Sequence, residues 1–283
     1  MMTPEDEAYV LTRAYIPEHI VSLMALISKG EPSLVEDHLV YVKDNWLILV
    51  GYPLDGSFSK ERCEKILEWS LLTFRPEYLW FIGPELPASL LDSCKERQTD
   101  QYYRLDLEQI ETKASLQRTI DKASKELTAE RTHSISSEHE ALITELLRRE
   151  KLDPRLRELY RAMPDYVPHS PSACVLNARD KKGDLCAFYV VDLGAKNFST
   201  YVLGTHSKKH YVPHASDLLF LEMIKVTQEH GKGIINLGLG VNEGIRRFKK
   251  KWGAVPFLNY EFCERFYGYT RTVSLIKSLE GKL

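Results

Sequence analysis

The chain has 283 residues, more than one ordinary domain needs and enough for two units of roughly 100–150 residues each. With 43% hydrophobic and 28% charged residues, 15 Gly and 13 Pro, the composition is of the soluble globular kind and excludes collagen-like, low-complexity and broadly disordered classes. Forty acidic against 38 basic residues leave a net charge of −2, which argues against a dedicated nucleic-acid binder. That total conceals a split: residues 1–125 hold 14 Lys/Arg and 21 Asp/Glu, net −7, whereas residues 126–283 hold 24 and 19, net +5. The second part therefore suits an anionic ligand. No apolar run approaches the ~20 residues of a membrane span, and the acidic start Met1 to Glu7 is unlike a signal peptide, so a cytoplasmic location is expected. The five cysteines are odd in number and dispersed, without a Cys-x-x-Cys pair, which predicts reduced, buried thiols.

In chain order, Ile20, Leu23, Met24 and Ile27 recur at helical spacing and predict a helix over Ile16 to Ser28, stopped by Gly30. Leu39 to Val42 and Trp46 to Tyr52 are β-rich runs around the polar turn Lys43-Asp44-Asn45 and predict an antiparallel hairpin. A helix over Ser59 to Thr73, with Ser59 as N-cap, precedes a short buried strand at Tyr78 to Ile82. A helix is expected over Leu86 to Arg97, a strand over Tyr102 to Leu107, and a polar helical connector over Leu116 to Leu127. The connector divides an N-terminal unit, residues 1–125, from a C-terminal unit, residues 126–283.

Beyond it the pattern gives a strand (Leu127 to Ser134), helices (Ser136 to Arg149; Arg155 to Met163), and a hairpin of Ser172 to Ala178 with Leu185 to Leu193. A strand (Asn197 to Gly204), a helix (Ser216 to His230) and a buried strand (Ile234 to Leu239) follow. Antiparallel strands followed by helix and strand, in an order that occurs twice, predict a mixed α/β sheet in two related copies. Two unrelated α+β domains are the alternative.

The segment Gly233 to Ala254 reads as a strand, a Gly-rich turn and a helix opening near Asn242. Asn242 is followed seven residues on by Lys249 and eleven residues on by Gly253; seven steps of about 100° return to within about 20° of the starting face, so Asn242 and Lys249 share one side of the helix. This resembles the end of the GNAT acyltransferase domain, in which Asn, Tyr and Gly hold those offsets, with Lys249 at the tyrosine position. Phe248-Lys249 before Trp252-Gly253 is closer still to the FemAB-like peptidyl transferases and to the C-terminal domain of phosphatidylglycerol lysyltransferases. The resemblance implies two tandem GNAT-like (acyl-CoA N-acyltransferase-like) domains, of which the second carries the more complete site.

Acetyl-CoA-dependent members place a glycine ladder between the central strand and the next helix, where backbone N–H groups close on a pyrophosphate. The corresponding loop here, Gly204 to Asp217, has none. The FemAB-like branch also lacks that ladder, and the resemblance to it implies aminoacyl-tRNA as donor, with acyl-CoA as the alternative.

On this resemblance Lys249 and Asn242 are the catalytic candidates, Lys249 stabilising a developing oxyanion or holding a donor phosphate. Tyr201, Lys208, Lys209, His210, Asp217 and Arg246 are the donor-binding candidates. The plainer readings are a solvated helical lysine and, for Asp217 or Ser216, a helix cap. Of Thr200 and Tyr201, strand alternation makes one core and one cleft-facing. His206, His210 and His214 recur every four residues, but Gly204 and Pro213 interrupt a helix there, and no metal site is expected. Ile245, Phe248 and Trp252 are assigned to the core face. Arg246, Arg247, Lys249, Lys250 and Lys251 can attract an RNA 3′ end, CoA phosphates or, peripherally, an anionic membrane. No Ser/His/Asp or Cys/His arrangement is recognisable, so the implied chemistry is direct attack by an amine acceptor on an acyl or aminoacyl donor. An acetyl-CoA-dependent N-acetyltransferase and a non-catalytic, ligand-binding pseudo-GNAT module are the rival readings.

Overall fold

The computed structural model describes residues 2–108, 110 and 114–268. Helix α1 (Pro4–Arg13) starts at a reciprocal cap, the Thr3 side chain accepting from Asp6 N while the Asp6 carboxylate accepts from Thr3 N. The helix expected over Ile16 to Ser28 is divided: Pro17–His19 form a 3-10 turn, Ile20 is extended, and α2 is Val21–Ser28. Pro17 fixes the first turn and the extended Ile20 re-aims the chain. Strands β1 (Glu31–Val35), β2 (His38–Lys43) and β3 (Trp46–Val50) form an antiparallel meander that contains the expected hairpin. Helix α3 (Lys60–Phe74), capped by Ser59, crosses to β4 (Tyr78–Gly83), parallel to β3.

No helix forms at Leu86 to Arg97. A 3-10 turn, Ala88–Leu90, follows Pro84 and Pro87, and Glu96 already belongs to β5 (Glu96–Asp106), whose first residues are drawn into strand pairing by a partner remote in sequence. Helix α4 (Ala114–Ala123) leads to β6 (Leu127–Thr132), α5 (Ser137–Arg149), α6 (Pro154–His169), β7 (Ala173–Asp180), β8 (Leu185–Asp192) and β9 (Phe198–His206). Helix α7 (Ala215–Glu229), β10 (Ile234–Leu239), α8 (Glu243–Lys251) and β11 (Val255–Phe266) complete the described order.

All the strands among the described residues join one mixed sheet in the order β1-β2-β3-β4-β11-β5-β10-β9-β8-β7-β6. Its centre is an exchange. β11, late in the chain, pairs with β4 of the first half (Phe262 opposite Ile82), while β5 pairs with β10 of the second (Ile235 opposite Leu105). The two exchanged strands pair with each other from Val255 opposite Arg104 to Glu264 opposite Glu96.

Alternation along the strands separates the cores. Val40, Leu47, Leu49 and Phe81 face Cys63, Ile66 and Leu67 of α3, whereas Leu39, Tyr41, Ile48 and Val50 face Val10 of α1 and Val21 of α2. In the second half Leu219 and Met223 of α7 cover one face. Leu142 of α5 and Met163 and Tyr166 of α6 cover the other, together with Ile20 and Leu23 from the first half.

The exchange also corrects the reading of the thiols. Cys94 and Cys263, 169 residues apart, form a disulfide with Cα atoms 5.4 Å apart, while Cys63, Cys174 and Cys186 are free and buried. Their separation in sequence hid a proximity that exists only because β11 inserts beside β4. Closing so long a loop limits the unfolded chain. Cys94→Ser is accordingly expected to lower the unfolding free energy by roughly 2–4 kcal/mol. Denaturant titration checks this, with the further expectation that a reductant destabilises the natural protein by a similar amount and leaves the variant unchanged.

Candidate functional site between β9 and β10

β9 and β10 run parallel and in register only from Phe198–Ile234 to Thr200–Asn236. Beyond that point β10 bulges between Asn236 and Leu239, where Gly238 takes a φ of 69° and its N–H donates to Asn236 Oδ1 at 2.9 Å. β9 carries its own irregularity against β8 at Val190/Val191, which leaves Val202 without an opposite partner. The strands therefore part, and a cavity of about 540 Å³ opens between them. Tyr201 to Gly204 form one wall and Leu237 to Leu239 the other; α8 contributes Ile245, Phe248 and Lys249, and the first half contributes Pro17, Glu18, Leu23, Met24, Ile27 and Tyr102. Gly204 is needed here, since a Cβ at that position would lie 2.3 Å from the Tyr189 ring.

Lys249 is 5% exposed. Its Nζ donates to Leu239 O at 2.5 Å and Gly238 O at 3.2 Å, the carbonyls of the bulge, and lies 5.4 Å from the centre of the Tyr103 ring. Burial pulls the ammonium down to about 7, Asp100 acting in the opposite direction. Two of its three possible N–H donors are committed to the bulge, which leaves one for a bound ligand.

Tyr201 lines the cavity and Thr200 is buried. Asn242 is the N-cap of α8, its Oδ1 accepting from Ile245 N at 2.9 Å, and it does not line the cavity. Arg246 lies beside Glu243 (3.4 Å), Lys208 and Lys209 are exposed on the loop after β9, and His210 Nδ1 lies 3.2 Å from Asp184. Asp217 is buried in the first turn of α7, where Oδ1 accepts from Trp252 Nε1 and from Lys251 Nζ. Thus Lys249 and Tyr201 meet at the cavity; Asn242, Lys208, Lys209, His210, Asp217 and Arg246 do not line it.

Of the assigned core face, Trp252 stacks on Phe220 at 4.5 Å and Phe248 meets the same ring at 5.5 Å, but Ile245 is 37% exposed at the cavity. The short helix turns its first apolar residue to the cleft because α7 extends under only its later turns. The three spaced histidines diverge: His206 packs on Tyr211, His210 pairs with Asp184, and His214 lies 3.5 Å from Asp217. Asp180, Asp184 and His210 each bring a ligand-type atom within 4.8 Å of the others, and none of them lines the cavity.

Sequence reasoning missed two polar residues of the first half. Glu18, on the Pro17–His19 turn, is part-exposed as a residue, yet its Oε2 is closed off from solvent. Burial pushes this carboxyl up, with the nearby Tyr102 hydroxyl opposing the rise. Tyr102 OH is itself buried and is the hydrogen-bonding neighbour of the Glu18 carboxyl, its ring held edge-on by Tyr52 and Tyr260. Nothing local in the sequence marks either residue.

The lowered Lys249 has a consequence for stability. Between about pH 7 and the ordinary lysine range the unfolded chain holds a proton that the folded chain has released, so this group makes stability rise with pH through that window. The unfolding free energy of the natural protein relative to Lys249→Met should therefore increase by a few kcal/mol from pH 7 to pH 10. A difference that stays flat in denaturant titrations at the two pH values would contradict the assignment.

No model of a known protein family matches the chain, and no curated protein matches it in sequence. Solved structures do match it over nearly their whole length. L-PGS from Bacillus licheniformis superposes with a TM-score of 0.59 at 15% identity, covering 98% of this chain and 96% of that one. FemX gives 0.60 at 12% identity (92% and 96%), and a tandem GNAT protein from the clavulanic acid biosynthesis pathway 0.54 at 11% (92% and 94%). At these identities the likeness concerns the fold, and it matches what the Asn242, Lys249 and Gly253 spacing and the repeated element order implied. The chain has the tandem GNAT-like fold of the FemAB type.

Proposed function

We propose that this protein transfers an acyl or aminoacyl group to an amine acceptor in the cleft between β9 and β10. The observation that carries the reading is Lys249, a buried lysine whose ammonium is pulled down to about 7, lining a mostly apolar, partly open cavity at the point where two parallel strands part. As an ammonium it stabilises charge that develops on the acyl oxygen and supplies a proton to the leaving group, effects that a water-poor site strengthens.

Aminoacyl-tRNA is the donor we favour over acyl-CoA. A pyrophosphate bound at the start of α7 would meet the buried carboxylate of Asp217, which already occupies the positive end of that helix. Arg247, Lys250, Lys208 and Lys209 are exposed and form no ion pair among the described residues, so they offer cations to a larger polyanion. One observation favours the non-catalytic rival: Lys249 already has a structural task in holding the bulge carbonyls.

Single-turnover assays with aminoacyl-tRNA, and separately with acetyl-CoA, decide among these readings. Amide formation from aminoacyl-tRNA is expected, with Lys249→Ala slower by about 10²-fold or more. Full activity in that variant would remove the assigned role, and binding without turnover in the natural protein would support the ligand-binding module.

A further inference from the structure

Among the residues that line the cleft, Glu18 and Lys249 are the ones that carry full charge in water, and each already has a partner. Lys249 Nζ donates to Gly238 O and Leu239 O, which leaves one N–H, the one the acyl oxygen needs. The Glu18 carboxyl is hydrogen-bonded to the Tyr102 hydroxyl, and burial favours its neutral form. Two further hydroxyls of the lining are committed to the backbone, Tyr160 to Gly204 O at 2.7 Å and Tyr189 to Ser216 O at 3.1 Å. A charged side chain carried into this space finds no free counter-ion in the lining, and burying an ion without one is costly.

One wall of the cleft is hydrocarbon. Helix α2, from the first half, supplies Leu23, Met24 and Ile27, and helix α6, from the second, supplies Leu156 and Leu159. The two helices pack against each other. Leu23 is buried, but Met24, Ile27, Leu156 and Leu159 are only half-buried, so both helices leave apolar surface for an occupant of the cavity to cover.

We propose that this wall selects the donor: the cleft takes aminoacyl groups with an extended apolar side chain, such as leucyl, methionyl or phenylalanyl, and rejects those with a charged one. This rests on the acyl-transfer reading above, with aminoacyl-tRNA as donor. When the acyl oxygen is held by the remaining N–H of Lys249, the side chain on the neighbouring α-carbon is the part of the donor that covers Met24, Ile27, Leu156 and Leu159. Covering that surface removes hydrocarbon from water, whereas a lysyl or aspartyl side chain would give up its hydration there without gaining a partner. The α-amino group is common to every aminoacyl donor and sets no preference among them. Met24 and Ile27 belong to the first half and Lys249 to the second, so choice of donor and reaction are divided between the halves.

The test uses the full chain and one synthetic RNA hairpin ending in CCA, esterified in turn with leucine, phenylalanine, alanine, lysine and aspartate so that the RNA body stays constant. Dissociation constants are measured in mildly acidic buffer, where the esters persist. The leucyl and phenylalanyl esters should bind the natural protein about tenfold or more tightly than the uncharged hairpin does, and the lysyl and aspartyl esters no more tightly than it. In Met24→Glu the leucyl ester should lose most of that advantage and the lysyl ester should gain affinity. A lysyl, aspartyl or alanyl ester that binds the natural protein as tightly as the leucyl ester would overturn the preference and leave the transferase reading to the single-turnover assays. An unchanged order in a folded Met24→Glu would overturn the placement of the side chain against α2, and the comparison of esters on the natural protein stands without that variant. Equal affinity for the uncharged hairpin and every ester would overturn the inference as well. Turnover with acetyl-CoA alone would remove the donor on which it rests.

Discussion

The pairing of β5 with β11 is the constraint on which the rest of the molecule depends. These strands hydrogen-bond along most of their length, and each also pairs with a strand from the other half of the chain, β5 with β10 and β11 with β4. Without β5, β10 would be an edge strand with a row of unpaired backbone groups. With it, β10 is paired on one side from Ile234 to Asn236 and again at Leu239, and it parts from β9 on the other. The same pairing places Tyr102 opposite Leu239, at the bulge, so a first-half side chain reaches a second-half cleft by strand register alone. Asn236 adds a second tie, its Nδ2 donating to Tyr15 O at 3.2 Å.

The bulge that opens the cleft creates a problem that Lys249 solves. Carbonyls displaced from a sheet ladder need donors, and burying them without any would be costly. Gly238 O and Leu239 O find theirs in the lysine Nζ, while Asp100 accepts from the backbone of Gln101 and Val241 and fixes the approach to α8. Val241 holds a positive φ of 56° there, a conformation uncommon for a β-branched residue. Asn242 then starts the helix that carries Lys249. On the proposed reading the structural pin and the reactive group are thus the same amine, which is why activity and stability must be read separately in any Lys249 variant.

How much of this was legible depends on distance along the chain. The β2–β3 hairpin, the Ser59 cap of α3 and the run from α7 through β10 to α8 are set by local patterning, and the sequence predicted each of them. Lys249 stood out because its offset from Asn242 and Gly253 is a property of one helix. The helix expected at Leu86 to Arg97 shrinks to the 3-10 turn Ala88–Leu90 after Pro87, and its end, Glu96 and Arg97, is taken by strand pairing with β11, which local reading cannot weigh. Cys94 with Cys263, and Glu18 with Tyr102, are hidden for the same reason. Asp217 and Asn242 were singled out by position, and the structure shows both spending their side chains on hydrogen bonds that hold helices in place.

The distribution of charge follows from the same architecture. Asp217 sits at the start of α7, where an anion would gain from the helix dipole, and its carboxylate is held there by Trp252 and Lys251. The remaining cations, Arg247 and Lys250 on α8 and Lys208 and Lys209 on the loop after β9, are solvent-facing, where attraction is screened over about 8–10 Å at physiological salt. A compact anion gains little from such a rim, because it can touch only one or two of these side chains at once; an extended polyanion touches several and releases counterions at each. On the proposed reading, then, the exposed cations act on the body of the donor and the cavity acts on its reactive end. Among the residues that line the cavity Lys249 is the one lysine or arginine, so on that reading its protonation, unmasked by a neighbouring cation in the lining, governs the site.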